Sequence, residues 1–99
     1  MNGKLSDKKM DMLFEAVLSL KSLEDCYCFF EDLCTISELK AMEQRYQVAM
    51  MLEEGQHYTE IAAETGASSA TISRVGRALN YGADGYKRVL ERRGKSDGV

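Results

Sequence analysis

The chain has 99 residues, of which 44% are apolar, and a formal net charge of −3, so its length and composition fit one small domain with a modest core. It contains no run of the ~20 apolar residues that a membrane span requires, and its first seven residues lack the apolar stretch of a signal peptide. These features exclude a membrane-spanning protein, and we expect a single cytoplasmic domain over residues 1–99.

The residue types that most often build metal or catalytic sites are few and poorly placed in this chain. Cys26, Cys28 and Cys34 are an odd number of cysteines without an export signal, which argues against a disulfide framework, and their spacing matches no zinc site. His57 is the one histidine, and no nucleophile is placed near it in the sequence. We therefore expect reduced thiols, no metal, no catalytic residues and no enzyme activity.

The charges are unevenly distributed along the chain. Residues 1–54 carry six Lys+Arg against eleven Asp+Glu, whereas residues 55–99 carry seven against five. The segment 68–95 has only Asp84 and Glu91 as acidic residues. Its basic residues are Arg74, Arg77, Lys87, Arg88, Arg92, Arg93 and Lys95. This segment supplies the cationic surface that binding to a phosphate backbone would require.

The pattern of apolar residues predicts an all-α fold. The chain has no proline and little alternation of apolar with polar residues, so helices fit it and strands do not. Ser6 and Ser22 are predicted N-caps, and Thr35 and Glu38 have the spacing of a capping box. Six helices are predicted, at about residues 7–20, 22–34, 35–55, 58–65, 69–79 and 84–93.

The first two predicted helices carry apolar residues at the three- and four-residue spacing of one helix face. Such a stripe is typical of a face that is buried against the rest of a domain. In the first helix the stripe consists of Met10, Leu13, Phe14, Val17 and Leu18. In the second it consists of Cys26, Phe29, Phe30, Leu33 and Cys34. We expect the helices over about residues 7–54 to supply much of the core.

Residues 58–79 meet the requirements of a helix-turn-helix. Two short helices that cross steeply need a small residue at their contact and a turn residue that tolerates a positive φ angle. Ala62, four residues before Gly66, supplies the first, and Gly66 supplies the second. The side chains expected to point inward are Ile61, Ala67, Ile72 and Val75.

With those side chains turned inward, the second helix of the motif presents serines and arginines outward. Arginine can bind guanine or a phosphate, serine can bond a phosphate or a base edge, and alanine can meet a thymine methyl group. Ser68 or Ser69 fits equally well as the N-cap that this helix needs. The candidate DNA-binding residues are Ser68, Ser69, Ala70, Ser73, Arg74 and Arg77.

Two stretches carry a family resemblance, residues 60–75 with the sequence EIAAETGASSATISRV and residues 79–86 with the sequence LNYGADGY. The chain resembles the Trp repressor-like superfamily, and the second stretch resembles its YerC/YecD-type branch of bacterial regulators. The resemblance extends over about residues 10–93. It implies a six-helix Trp repressor-like fold and an intertwined homodimer in which residues 7–54 take part in dimerisation. It also implies two reading helices about 34 Å apart, the spacing of successive major grooves.

The resemblance further implies a candidate site for a small-molecule corepressor. In the tryptophan-sensing members, two arginines, threonine and backbone groups hold the ligand, and an anionic group could be held at the matching positions here. Those positions are Thr35, Arg45, Thr71 and Arg74. Tryptophan itself is not expected, because Val75 replaces a glycine and Ala78 replaces a serine of those members. The alternative is that Arg45 makes ordinary ion pairs with nearby glutamates.

Two functions of different classes follow from these features. The first is a sequence-specific transcriptional regulator, a repressor, whose homodimer inserts the helix that begins near Ser69 into the major groove of double-stranded DNA and responds to a small ligand. The alternative is a helix-turn-helix module that docks on another protein without specific DNA binding. The outward face is mostly serine and alanine, and this sparse set of base-reading groups keeps the alternative open.

Overall fold

The computed structural model describes residues 7–97, and six α-helices account for most of them. The helices are α1 (Lys8–Leu18), α2 (Leu23–Leu33), α3 (Ile36–Glu53), α4 (Tyr58–Thr65), α5 (Ser69–Tyr81) and α6 (Gly85–Asp97). This part of the chain contains no β-strand, which confirms the predicted all-α class. No helix within it is both long and apolar enough to cross a membrane.

The contacts within the chain distinguish two units, Met1–Leu39 and Lys40–Val99, and α3 runs from the first into the second. The first unit holds α1, α2 and the start of α3. The second unit holds the rest of α3 and the helix-turn-helix with the helix that follows it. The single domain expected over residues 1–99 stays a prediction.

The helices of the first unit begin at side-chain caps. Asp7 is the N-cap of α1, and its Oδ1 accepts a hydrogen bond from the N–H of Met10 at 2.7 Å. The predicted cap of this helix, Ser6, lies outside the described residues. Ser22 caps α2 as predicted, because its Oγ accepts the N–H of Asp25 at 3.0 Å. Short polar side chains therefore set where both helices start.

The capping box predicted at the start of α3 is confirmed. The N–H of Thr35 donates to Oε1 of Glu38 at 2.7 Å, and the N–H of Glu38 donates to Oγ1 of Thr35 at 3.1 Å. These bonds satisfy two donors that a helix start leaves unpaired. The backbone bond from Thr35, and after it the bond from its side chain, hold the pKa of the Glu38 carboxyl below its ordinary value.

The prediction that the apolar stripes of α1 and α2 are buried is wrong for the single chain. Neither helix has a buried residue, and Phe14 and Leu18 are 52% and 83% exposed. The period of apolar residues identifies one face of a helix, but it does not identify what covers that face. The exposed large apolar residues from α1 to the start of α3 are Met12, Phe14, Leu18, Leu23, Tyr27, Leu33 and Ile36.

The core of the second unit lies where α3, α4 and α5 bring their apolar residues together. Its buried members are Val48, Ala49, Met51, Ile61, Ala67, Ile72 and Val75. Tyr86 and Leu90 of α6 pack against this cluster, and Leu79 near the end of α5 is also buried. The four inward side chains predicted for the helix-turn-helix all belong to it, so the core holds the two helices of the motif in place.

Both α5 and α6 extend beyond their predicted ends. The N–H of Gly82 donates to the carbonyl of Ala78 at 2.9 Å, so α5 continues to Tyr81 and takes in residues that we predicted as a turn. The backbone of α6 continues past Arg93 to Asp97. Gly94 lies inside it, because a glycine weakens a helix by about 1 kcal/mol without ending it.

Candidate nucleic-acid interface

The turn between α4 and α5 is built around a left-handed glycine. Gly66 has a φ angle of 74°, and its N–H donates to the carbonyl of Ala62 at 2.9 Å. Thr65 supports the turn from its N-terminal side, since its hydroxyl donates to the carbonyl of Ile61 at 2.7 Å and accepts the N–H of Ala67 at 3.1 Å. Glycine adopts this backbone conformation without strain, as the prediction for the turn requires.

A side chain that we did not predict ties this turn to the central helix. Nε2 of Gln44 on α3 donates to the carbonyl of Thr65 at 3.0 Å, across 21 positions of sequence. The bond is partly buried and fixes the C-terminal end of α4. A glutamine on a helix carries no local signal for such a distant partner, so sequence patterns had no means of indicating it.

The N-terminus of α5 is capped by Ser68. Its Oγ accepts the N–H of Thr71 at 3.1 Å, and its hydroxyl donates to Oγ1 of Thr71 at 3.1 Å. The cap that the sequence predicts at Ser68 or Ser69 is therefore Ser68, and contact of Ser68 with DNA stays a prediction. Ser69 is the first residue of α5 and is exposed, so its hydroxyl faces solvent at the N-terminal end of the helix.

The two faces of α5 differ as the sequence predicts. Ile72 and Val75 are 1% and 2% exposed and lie in the core. Arg74 and Arg77 are exposed, and neither guanidinium makes a hydrogen bond or an ion pair with another residue of the described chain. Of the six candidates, Ser73 is half-buried, and the exposed ones are Ser68, Ser69, Ala70, Arg74 and Arg77.

A second set of exposed cations lies on α6. Tyr86 and Leu90 pack toward the core, whereas Lys87, Arg88 and Arg92 are exposed and form no ion pair within residues 7–97. A cation without an ion-pair partner keeps its charge available for an external anion such as a phosphate. The second unit therefore presents cations on both of its C-terminal helices.

The candidate effector residues have separate local settings. Thr35, in the first unit, is engaged in its capping box, and Thr71 is engaged with Ser68. Arg45 is half-buried on α3 and makes no ion pair with another described residue. The alternative that Arg45 pairs with nearby glutamates is therefore not seen among the described residues. Arg74 is exposed on α5. Their joint role in ligand binding stays a prediction.

An apolar cleft of about 510 Å³ in the second unit is a further feature that the sequence did not predict. Its lining includes Ala78, at which the family resemblance predicts a serine in the tryptophan-sensing members. The full lining is Tyr46, Ala78, Ala83, Gly85, Tyr86 and Val89. None of the four candidate effector residues belongs to it.

Comparison with known proteins gives consistent matches over almost the whole chain. A family model described as Trp repressor protein matches residues 8–94. The protein YerC of Bacillus subtilis strain 168 is 58% identical over 89 residues, which cover 90% of this chain and 86% of YerC. The crystal structure of a TrpR-like protein from Eubacterium eligens is 57% identical with a TM-score of 0.90, over 94% of this chain and 96% of that one. The structure of a candidate Trp repressor from Staphylococcus aureus is 48% identical with a TM-score of 0.88, over 92% and 91% of the two chains.

Proposed function

This chain belongs to the Trp repressor family of helix-turn-helix DNA-binding regulators, and from that premise we propose that it is a sequence-specific transcriptional repressor that reads the major groove with α5. The observation that carries the proposal is the outward face of α5. It presents two unpaired arginines beside small side chains, while the opposite face is fixed in the core. A rigid helix with such a face fits a major groove about 12 Å wide.

The exposed residues of α5 suit different groups of the DNA, according to their position along the helix. Ser69 and Ala70 lie in its first turn, the part of a reading helix that approaches base edges most closely. Ser69 suits a phosphate or a base edge, and Ala70 suits a thymine methyl group. Arg74 lies one turn further on and suits a guanine or a phosphate, and Arg77 follows on the same face. Ser68 orders the start of the helix through its cap, and its exposed position also suits contact with a phosphate.

The exposed cations of α6 supply contacts of a different kind. Lys87, Arg88 and Arg92 lie outside the helix-turn-helix, so they suit phosphates and not base edges. Phosphate contacts set affinity and register on the duplex but carry no direct sequence information. In this proposal α5 supplies specificity, and α6 adds affinity that falls with salt.

The proposed assembly is a homodimer. In the first unit no apolar residue of α1 or α2 is buried, and a helix stripe with more than half of Phe14 and Leu18 exposed favours contact with a second apolar surface. A second copy of the chain supplies an identical stripe, and two-fold symmetry is the commonest arrangement of such oligomers. Two reading helices in one dimer then address two half-sites about 34 Å apart on the DNA of a bacterial cytoplasm.

A small ligand is proposed to modulate binding. Arg45, which has no ion-pair partner in the described chain, and Arg74 are the cations to which a carboxylate would bind. Tryptophan is not the expected ligand, because Val75 and Ala78 replace smaller or more polar groups. A carboxylate ligand should raise the melting temperature of the wild type but not of Arg45→Gln, as scanning calorimetry with a panel of amino acids would measure. If every compound leaves both proteins unchanged, this part of the proposal is wrong.

The experiment that tests the function is selection of bound duplexes from random DNA with the purified protein. We expect an enriched sequence with two-fold symmetry and half-sites one helical turn apart. Equal retention of all sequences, together with one protein partner captured stoichiometrically after nuclease treatment, would contradict the repressor and support the alternative interaction module. An enriched sequence without symmetry would contradict the dimer alone.

A further inference from the structure

Tyr81 is a large aromatic side chain that the structure leaves almost entirely in water. It is 87% exposed and is the last residue of α5, although sequence patterns assign it to the following turn. Because the N–H of Gly82 closes onto Ala78, Tyr81 is held on the helix and not on a loop. Its direction is therefore fixed by the same rigid element that presents Arg74 and Arg77.

Tyr81 also lies on the reading face of that helix. Ala70, Arg74, Arg77 and Tyr81 follow one another at intervals of four, three and four residues, the spacing of one helix face. All four are exposed, whereas Ile72 on the opposite face is buried. The outward face thus continues one turn beyond the candidates that the sequence indicated.

We propose that Tyr81 is a further DNA-contact residue, whose hydroxyl donates a hydrogen bond to a phosphate at the edge of the groove. This inference rests on the proposed function and extends the contact surface of the same helix. A phenol suits the place because its ring packs on the sugar while its hydroxyl reaches a phosphate oxygen.

The length of α5 assigns the contact to the backbone and not to a base. The helix has 13 residues, which makes it about 20 Å long, and Tyr81 lies about 16 Å beyond Ala70 along its axis. The major groove is about 12 Å wide. A helix whose first turn meets base edges therefore brings its last residue to the wall of the groove, where the phosphates lie.

The chemistry at this end of the helix calls for a side-chain donor. The C-terminus of a helix carries partial negative charge, so its backbone cannot hold an anion as an N-terminus does. Arg77, one turn earlier, and the hydroxyl of Tyr81 are the side-chain donors at the C-terminal end of the face that Ala70, Arg74, Arg77 and Tyr81 form. The tyrosine is neutral, so its contact adds affinity without releasing a counterion, unlike a contact by arginine.

The test compares the affinity of the full-length variants Tyr81→Phe and Arg77→Gln with the wild type on the selected duplex at several salt concentrations. We expect Tyr81→Phe to bind specific and unrelated duplexes alike about tenfold more weakly, because it loses one hydrogen bond to a charged acceptor. The slope of log affinity against log salt should stay unchanged for Tyr81→Phe and should fall by about 0.9 for each phosphate that Arg77→Gln no longer neutralises. Lys21→Gln, at an exposed lysine that precedes α2, is the control for loss of a charge and should bind like the wild type.

A second readout locates the contact. Neutral methylphosphonates can replace the phosphates of the duplex one at a time. At one position in each half-site the replacement should lower the affinity of the wild type, and at the same position it should leave the affinity of Tyr81→Phe unchanged. Affinity of Tyr81→Phe equal to the wild type would overturn the inference and leave the repressor proposal standing. A shift of Tyr81→Ala to a smaller species in sedimentation would overturn it in favour of contact with a second copy. Failure of the wild type to bind any duplex would remove the proposed function as well.

Discussion

Replacing glycine by alanine at two positions of the helix-turn-helix should shift stability in opposite directions. At Gly66 the φ angle is 74°, and a Cβ placed there would have no atom within 4 Å. The space is open, so the whole cost of Gly66→Ala is the left-handed backbone, about 1 kcal/mol for an L-residue. We therefore expect this variant to unfold at a lower temperature.

Gly76 lies inside α5 at an ordinary helical position. A Cβ there would lie 3.4 Å from Oη of Tyr58 and 3.8 Å from Cδ1 of Leu52, which is normal van der Waals contact. Alanine is favoured over glycine in a helix interior by about 0.8–1.0 kcal/mol. Because nothing must move to admit the methyl group, Gly76→Ala should be more stable than the wild type.

Thermal unfolding followed by circular dichroism at one fixed protein concentration measures both effects. A change of 1 kcal/mol shifts the midpoint by about 4–8 °C in a domain of this size, so the two variants should differ by roughly 8–16 °C. Gly85→Ala, where a Cβ would again meet nothing within 4 Å and φ is not positive, is the matched control and should not lose stability. If Gly66→Ala and Gly76→Ala shift the midpoint in the same direction, the geometry of the turn given above is wrong.

Three further predictions concern other parts of the chain. The Glu38 carboxyl should titrate below its ordinary pKa by carboxyl NMR, and Thr35→Ala should raise that pKa only part of the way back, because it removes the side-chain bond but keeps the larger effect of the backbone N–H. Since the folded pKa is lowered, the stability from these bonds is present at neutral pH and lost as pH falls through that pKa. Gln44→Ala should lower the free energy of unfolding in urea by about 1 kcal/mol, because it removes the hydrogen bond to Thr65. Gln47→Ala, at an exposed residue of the same helix, should lower it little. Equal losses in the two variants would show that the bond to Thr65 does not stabilise the fold. Leu18→Glu should convert the proposed dimer to monomer in sedimentation, and an unchanged dimer would show that α1 lies outside the interface.

Local features of the sequence determined most of the helix-turn-helix in advance. The bounds of α4 and the start of α5 follow from Gly66, Ser68 and the apolar spacing, because caps and turns depend on a few neighbouring residues. The burial of Ile72 and Val75 follows from the helical period once the turn is placed. The outward position of Arg74 and Arg77 then needs no further information.

The features that sequence patterns missed depend on distant partners or on small energy differences. The bond from Gln44 to Thr65 joins residues far apart in the chain, and no local rule predicts it. The apolar stripe of α1 was recognised, but its exposure in the single chain depends on what is available to cover it. The extension of α5 to Tyr81 was missed because the Asn-Tyr-Gly sequence favours a turn by propensity, while one backbone bond at Gly82 prolongs the helix.

The central claim, that the exposed face of α5 binds DNA, is tested most directly by the affinity of Arg74→Gln and Arg77→Gln for the selected duplex across a series of salt concentrations. Lys21→Gln, an exposed lysine that precedes α2, is the control for loss of charge. We predict that each arginine variant binds the selected duplex at least about tenfold more weakly. Replacing an arginine that reads a base should also reduce discrimination between selected and unrelated duplexes. Replacing an arginine that binds a phosphate should lower the slope of log affinity against log salt by about 0.9 per phosphate. Affinity, discrimination and slope equal to those of the wild type in both variants would contradict the assignment of α5 as the reading helix.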